Sequence, residues 1–407
     1  MAFGRVLAKE INPSFLIDRS MPTLDVAMPL ALLIVVTAAV LLNKRVESKL
    51  MATVEQKQFK KRDIVLLVVF MAVVISVIAY TTMVTPGATL QNILLILFLS
   101  SYTMLLFTFS YVFSNVTSRR AQLLSVGFGV ASVVAGLVTL NSYLTDMYTI
   151  YRAIAFFGLA AFCFGVAVYE LLRPIVKSRW YLAAQPATLF LFLFVFFNFL
   201  HTPGTTQIWF PLLMDLFGFT FAILIILYLS SLFNWKTMGL FAVLLTIMDI
   251  ILVIGTGTMV QAATQFTGLG LPVLVYLPNV PLVEAAPGSI NFFGYAPRGL
   301  GLGDFFFAGV LAVQTFKKFG TKVGYAAVVS MAVAFGVWEA FLRDILSWLG
   351  PIVGRDIGGF PGTLMIICGW APIVAVILLR QRRKLVQAPA VEQLQAETPA
   401  GLSPSEQ

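Results

Sequence analysis

Gly301-Leu302-Gly303-Asp304-Phe305-Phe306-Phe307 places one carboxylate at the mouth of an apolar helix, behind alternating glycines. Its meaning depends on whether the apolar chain around it crosses a membrane. A charge within a bilayer costs at least about 2.5–3.5 kcal/mol on insertion scales, so an aspartate kept there marks a functional candidate. The two glycines remove side-chain bulk just ahead of it and leave room for another backbone or an extended substrate.

The composition around this stretch is that of a membrane protein. Of 407 residues, 59% are hydrophobic and 11% charged, against about a quarter charged in soluble domains. Apolar runs long enough to cross a hydrocarbon core of about 30 Å recur at roughly 26–43, 63–84, 91–113, 122–143, 150–172, 184–201, 208–233, 237–257, 299–316, 323–348 and 361–380. The expected fold is an all-α polytopic helical bundle of 9–11 transmembrane helices. Its parts are an N-terminal bundle over 1–235, a second transmembrane region over 236–384, and a disordered tail over 385–407, rich in Ala, Pro, Glu and Gln. No cleavable signal peptide is expected, because the first 23 residues mix polar and apolar types.

The formal charge of +9 does not indicate a nucleic-acid partner, because the bases collect in short connections between apolar runs. Alternate connections, at 44–62, 119–120, 173–179, 236, 317–322 and 380–384, hold 20 of the 27 lysines and arginines. The opposite side has Arg5, Lys9, Arg19, Arg298 and Arg355. Positive-inside logic then puts the N-terminus outside and the C-terminus in the cytoplasm. The longest connection, 258–298, lies outside by this reading. It contains the β-prone run Leu271-Pro272-Val273-Leu274-Val275-Tyr276-Leu277-Pro278 and is too apolar for a solvated linker. It is expected to lie against the membrane face or dip into it.

A second acid lies in the preceding run, Thr246-Ile247-Met248-Asp249-Ile250-Ile251-Leu252-Val253. At 1.5 Å per residue, Asp249 is about 12 Å and Asp304 about 8 Å from the outer end of its helix. Consecutive spans run antiparallel and tend to be neighbours, so the two carboxylates can meet at similar depth. Two carboxyl groups in a weakly polarisable site do not both ionise easily, and one keeps a proton. That asymmetry suits hydrolysis of an amide by water, with one group as base and the other as hydrogen-bond donor to the carbonyl.

In these residues the chain resembles presenilin and signal peptide peptidase, the GxGD family of intramembrane aspartyl proteases. Gly301-Leu302-Gly303-Asp304-Phe305 matches the signature, and Asp249-Ile250-Ile251-Leu252-Val253 matches the helix of the family's first aspartate. Leu271-Pro272 through Leu277-Pro278 looks like the segment between the catalytic helices, and Pro361-Gly362-Thr363-Leu364 stands where the family has Pro-Ala-Leu. The similarity runs over about 240–380, and the aspartates are 55 positions apart. It implies a protease with Asp249 and Asp304 as catalytic dyad, acting on transmembrane peptides or membrane proteins in the bilayer, with no metal or organic cofactor. It implies substrate binding by Gly301, Leu302, Gly303, Leu271, Pro272, Val273, Pro361, Gly362, Thr363 and Leu364. The predicted orientation resembles signal peptide peptidase, whose substrates have type II orientation. Two departures are that Met248 replaces the usual tyrosine before the first aspartate, and that the Pro-Ala-Leu element reads Pro-Gly-Thr. A prepilin-type GxGD peptidase and a proton- or cation-coupled transporter are the alternative readings.

Other polar residues have plainer readings. Asp215, in Leu212-Leu213-Met214-Asp215-Leu216, is the rival first aspartate, or a hydrogen-bonding group within the bundle. Glu339 and Arg343 have the spacing of a helical ion pair. Glu170, Arg173 and Arg152 lie near span ends and can snorkel to the interface. His201 reads as interfacial. Cys163 and Cys368 form neither a disulfide framework nor a zinc pattern. The sequon at Asn115 falls on the cytoplasmic side and should stay unmodified.

Overall fold

A computed structural model describes residues 25–53, 58–84, 88–141, 147–172, 179–199, 211–259, 262, 271–278, 280, 282–284, 295, 297–354 and 357–396. Its order is α1 (Ala27–Thr53), α2 (Lys61–Val84), α3 (Ala88–Val112), α4 (Ser118–Leu140), α5 (Met147–Leu172), α6 (Trp180–Phe194), α7 (Pro211–Leu232), α8 (Trp235–Ile250), then strands β1 (Leu274–Pro278) and β2 (Pro297–Gly301). Four helices follow: α9 (Leu302–Phe319), α10 (Thr321–Ala340), α11 (Leu342–Val353) and α12 (Gly362–Ala396). Of these twelve helices, ten are long and apolar enough to cross a membrane, so the chain is an all-α, multi-pass membrane bundle.

The long helix outside those ten is α9, which carries Asp304, Lys317 and Lys318 in 18 residues. It is the axis of the bundle. Phe305 through Thr315 are all buried, and α1, α7, α8, α10 and α12 pack around it. A helix wrapped by other helices meets no lipid, so it needs close packing more than hydrophobicity. Gly309 shows this, since a Cβ there would come within 2.5 Å of Ile226 Cδ1 on α7.

The α4–α5 hairpin stands apart. Its buried residues form small clusters with α6 that are separate from the main core. Gly129 packs against the Phe164 ring and Gly136 against Phe157. A buried polar knot ties its end to α6. Glu170 pairs with Arg179 Nε at 2.8 Å, and accepts from the hydroxyls of Ser118 and Tyr181. The snorkelling expected of Glu170 and Arg152 is therefore corrected: they are 1% and 4% exposed. Internal pairing removes the need for Glu170 to reach water. Arg173 and His201 lie outside the described residues.

Two further expectations change. The run 323–348 is not one span, because the helix breaks at Phe341, amid Glu339, Arg343 and Asp344. The second piece, α11, has no buried residue and exposes Trp348 and Ile352. The tail is helical through Ala396 instead of disordered from 385. Its alanines, glutamates and glutamines favour helix, and the preceding span has already met the nucleation cost.

α10 and α12 cross closely at Gly369, whose carbonyl accepts from the Ser330 hydroxyl at 2.7 Å. A Cβ at Gly369 would lie 2.7 Å from Met331 Cα, and backbone there cannot yield as a side-chain tip can. Gly369→Val is expected to cost about 1–3 kcal/mol by overpacking. It should lower the melting temperature in detergent, and an unchanged melt would contradict this crossing.

Candidate active site

The site forms where three helices and the hairpin meet. α8 starts with a capping box in which the Asn234 side chain accepts from Thr237 N–H at 2.9 Å and the Thr237 hydroxyl accepts from Asn234 N–H. It runs to Asp249, 8% exposed, and then widens into a π turn over Ile251–Gly255. Such turns concentrate at functional sites because they re-aim the side chains beside them.

Asp304 lies in the first turn of α9, three residues after the N-cap Gly301. Its half-buried carboxylate lies back against the Gly301 backbone. Pro361 stands at the start of α12, where its missing N–H costs no bond. The Thr363 hydroxyl donates to Asp249 Oδ2 at 2.6 Å, and the Thr363 N–H points to the same oxygen at 3.4 Å.

Gly362 completes the convergence. A Cβ built there would lie 2.7 Å from Asp304 Cγ and 3.0 Å from its Oδ2. One carboxylate therefore packs on Gly362 and the other bonds to Thr363, neighbours whose Cα atoms are about 3.8 Å apart. The first turns of α9 and α12 aim backbone N–H groups into this space, which offsets part of the cost of negative charge there. The tight glycine is not one of those ahead of Asp304. A Cβ on Gly301 would meet Asp304 Oδ2 at an ordinary 3.5 Å, and nothing lies within 4 Å of one on exposed Gly303.

The run 271–278 is a strand of a two-stranded antiparallel sheet, with Leu274 opposite Gly301 and Leu277 opposite Arg298. Leu302 N–H donates to the Val273 carbonyl at 2.9 Å. The alternation of an antiparallel ladder then turns Val275 and Leu277 toward β2, and Leu274 and Tyr276 away from it. By the same rule Gly299 and Gly301 of β2 present their backbone groups on the outer edge. Gly299 is exposed, and no backbone bond to that edge is found among the described residues. Leu271 and Pro272 are buried ahead of the strand, where the Tyr102 hydroxyl donates to the Pro272 carbonyl at 3.3 Å.

Thus Asp249, Asp304, Gly301, Leu302, Gly362 and Thr363 are brought together, while Leu271 and Pro272 act from behind the hairpin and Leu364 is half-buried on α12. Asp215 meets the hairpin instead: its Oδ1 accepts from Tyr276 N–H at 2.7 Å. The Glu339–Arg343 expectation is also corrected, since Glu339 pairs with Arg298 of β2 at 3.0 Å. Arg298 is 3.9 Å from buried Asp25 as well, so α10 and the residue two places ahead of α1 both hold β2. These partners lie 273 and 41 positions from Arg298, and no local spacing announces them. Among the described residues, no group of three or more His, Cys, Asp or Glu is placed to hold a metal ion.

No family model matches the chain, and no curated protein or solved structure matches it.

Proposed function

We propose that this chain is an intramembrane aspartyl protease of the presenilin and signal peptide peptidase type, with Asp249 and Asp304 as its dyad. The observation that carries the proposal is the convergence of both carboxylates on Gly362–Thr363, beside the exposed backbone edge of β2. One carboxylate takes a proton from water as the water oxygen attacks the scissile carbonyl carbon. The other, protonated, gives its proton to the carbonyl oxygen, and a gem-diol forms. Proton delivery to the nitrogen then breaks the C–N bond and leaves an acid and an amine end.

A helical substrate hides its carbonyls in i to i−4 bonds, so it must unwind before attack. The outward N–H and C=O groups of Gly299 supply substitute partners for an extended segment. On this reading the substrate lies along β2 rather than along the 272–277 strand, whose outward Tyr276 N–H is taken by Asp215. The absence of side chains at Gly299, Gly301 and Gly303 keeps that edge approachable. The asymmetry of basic residues supports an N-terminus outside and a cytoplasmic C-terminus.

Purified protein in detergent or bilayers is expected to cleave a model transmembrane peptide inside its hydrophobic segment. A hydroxyl-bearing transition-state mimic should block the reaction. No cleavage of a panel of such peptides, in either medium, would reject the proposal.

A further inference from the structure

Asp215 is 2% exposed in the first turns of α7, inside the bundle, and no step of the hydrolysis uses it. One oxygen has a single described partner, the Tyr276 N–H at 2.7 Å. The other is buried with no hydrogen-bond partner among the described residues. One turn further along α7, Gly218 lies against the same strand, and a Cβ there would meet Val275 Cγ2 at 3.1 Å. The helix therefore touches β1 twice, once through a carboxylate and once through the gap left by a glycine.

We infer that Asp215 is a positioning residue: it takes the place of a third strand, fixes the register of the hairpin and so sets which substrate bond reaches the dyad. A two-stranded hairpin is marginal alone. A one-residue slip would turn every side chain to the other face. Tyr276 N–H points away from β2, and only a rigid acceptor on that side holds it without offering a competing strand edge. Asp215 meets this need from a helix that is packed against α9, the helix carrying Asp304. Displacement of β1 would be passed to β2 through the ladder, and from β2 directly into Gly301 and Asp304.

Because only one oxygen has a donor, an amide should serve nearly as well as the carboxylate. This separates Asp215 from the dyad, where an amide cannot carry a proton through the reaction. The register claim rests on the protease reading; the anchoring claim does not.

The test combines amide exchange with cleavage products for wild type, Asp215→Ala and Asp215→Asn. In wild type the Tyr276 amide should exchange as slowly as those of Val275 and Leu277. In Asp215→Ala it should exchange about tenfold faster, the scale of one hydrogen bond to a charged acceptor. The same variant should raise KM more than it lowers kcat and should yield additional product termini, and Asp215→Asn should recover the single terminus. An unprotected Tyr276 amide in wild type overturns the inference without any variant having to fold. So does a single unchanged terminus in Asp215→Ala, or a loss in Asp215→Asn as deep as that of Asp249→Asn. If wild type cleaves nothing, the functional proposal falls and the exchange measurement still decides the anchor.

Discussion

Asp249→Asn and Asp304→Asn are each expected to reduce cleavage of a transmembrane peptide by about 10⁴-fold or more, at the upper end for loss of a general acid–base group. Asparagine keeps the volume of the carboxyl group and one acceptor oxygen. Thr363 can still donate to position 249, so both variants should fold with unchanged thermal stability. The proton shared by the pair has no place to go once either member is an amide. For that reason the two losses should not add, because residues acting as a unit fail together. The double variant should be within about threefold of either single one, given that near-complete non-additivity. Product analysis by mass spectrometry, with matched melting curves, checks this. A single variant that keeps a tenth of the wild-type rate would mean that the two carboxylates do not act as one unit.

How much of this could be read from residues alone depended on the range of the interactions. Span positions were legible because lipid contact imposes a local requirement on every residue of a helix. The same logic made α9 the weakest signal, since a helix sheathed in protein escapes that requirement. That Asp249 and Asp304 come near each other was legible as well, because they stand on consecutive apolar helices. The pairing of 274–278 with 297–301 was not, because the first strand has the β-prone Val275 and Tyr276 while Pro297-Arg298-Gly299-Leu300-Gly301 has no β-branched or aromatic residue. Its strand character comes from the ladder and from Arg298 held by Glu339 and Asp25. The role of Thr363 was hidden for a related reason. Its hydroxyl looked like an altered substrate contact, and only the fold shows that it faces Asp249, 114 positions away. Asp215 and Asp249 both follow methionine in apolar helices, and nothing local distinguishes the one that meets β1 from the one that meets α12.

Gly362→Ala separates the geometry of this chain from the expectation that resemblance alone would supply. The family element is Pro-Ala-Leu, with alanine where this chain has Gly362, so the resemblance forecasts tolerance. The structure forecasts loss. A methyl group at Gly362 would lie 2.7 Å from Asp304 Cγ, closer than nonbonded carbons approach, and of the two sides only the carboxylate tip can yield. Gly362 is held between Pro361, buried at the helix start, and Thr363, bonded to Asp249. Asp304 belongs to the first turn of α9, the helix with the most enclosed surface in the bundle. The carboxylate must then rotate out of the space it shares with Asp249. A misplacement on the scale of 1 Å costs on the order of 10²-fold in rate, and overpacking costs about 1–3 kcal/mol of stability. The expected result is therefore a fall of about 100-fold in kcat, with KM nearly constant because the β2 edge is untouched. Gly158→Ala, where a Cβ has nothing within 4 Å, serves as the control. Wild-type kcat in Gly362→Ala would show that the two carboxylates stand further from the start of α12 than this packing allows.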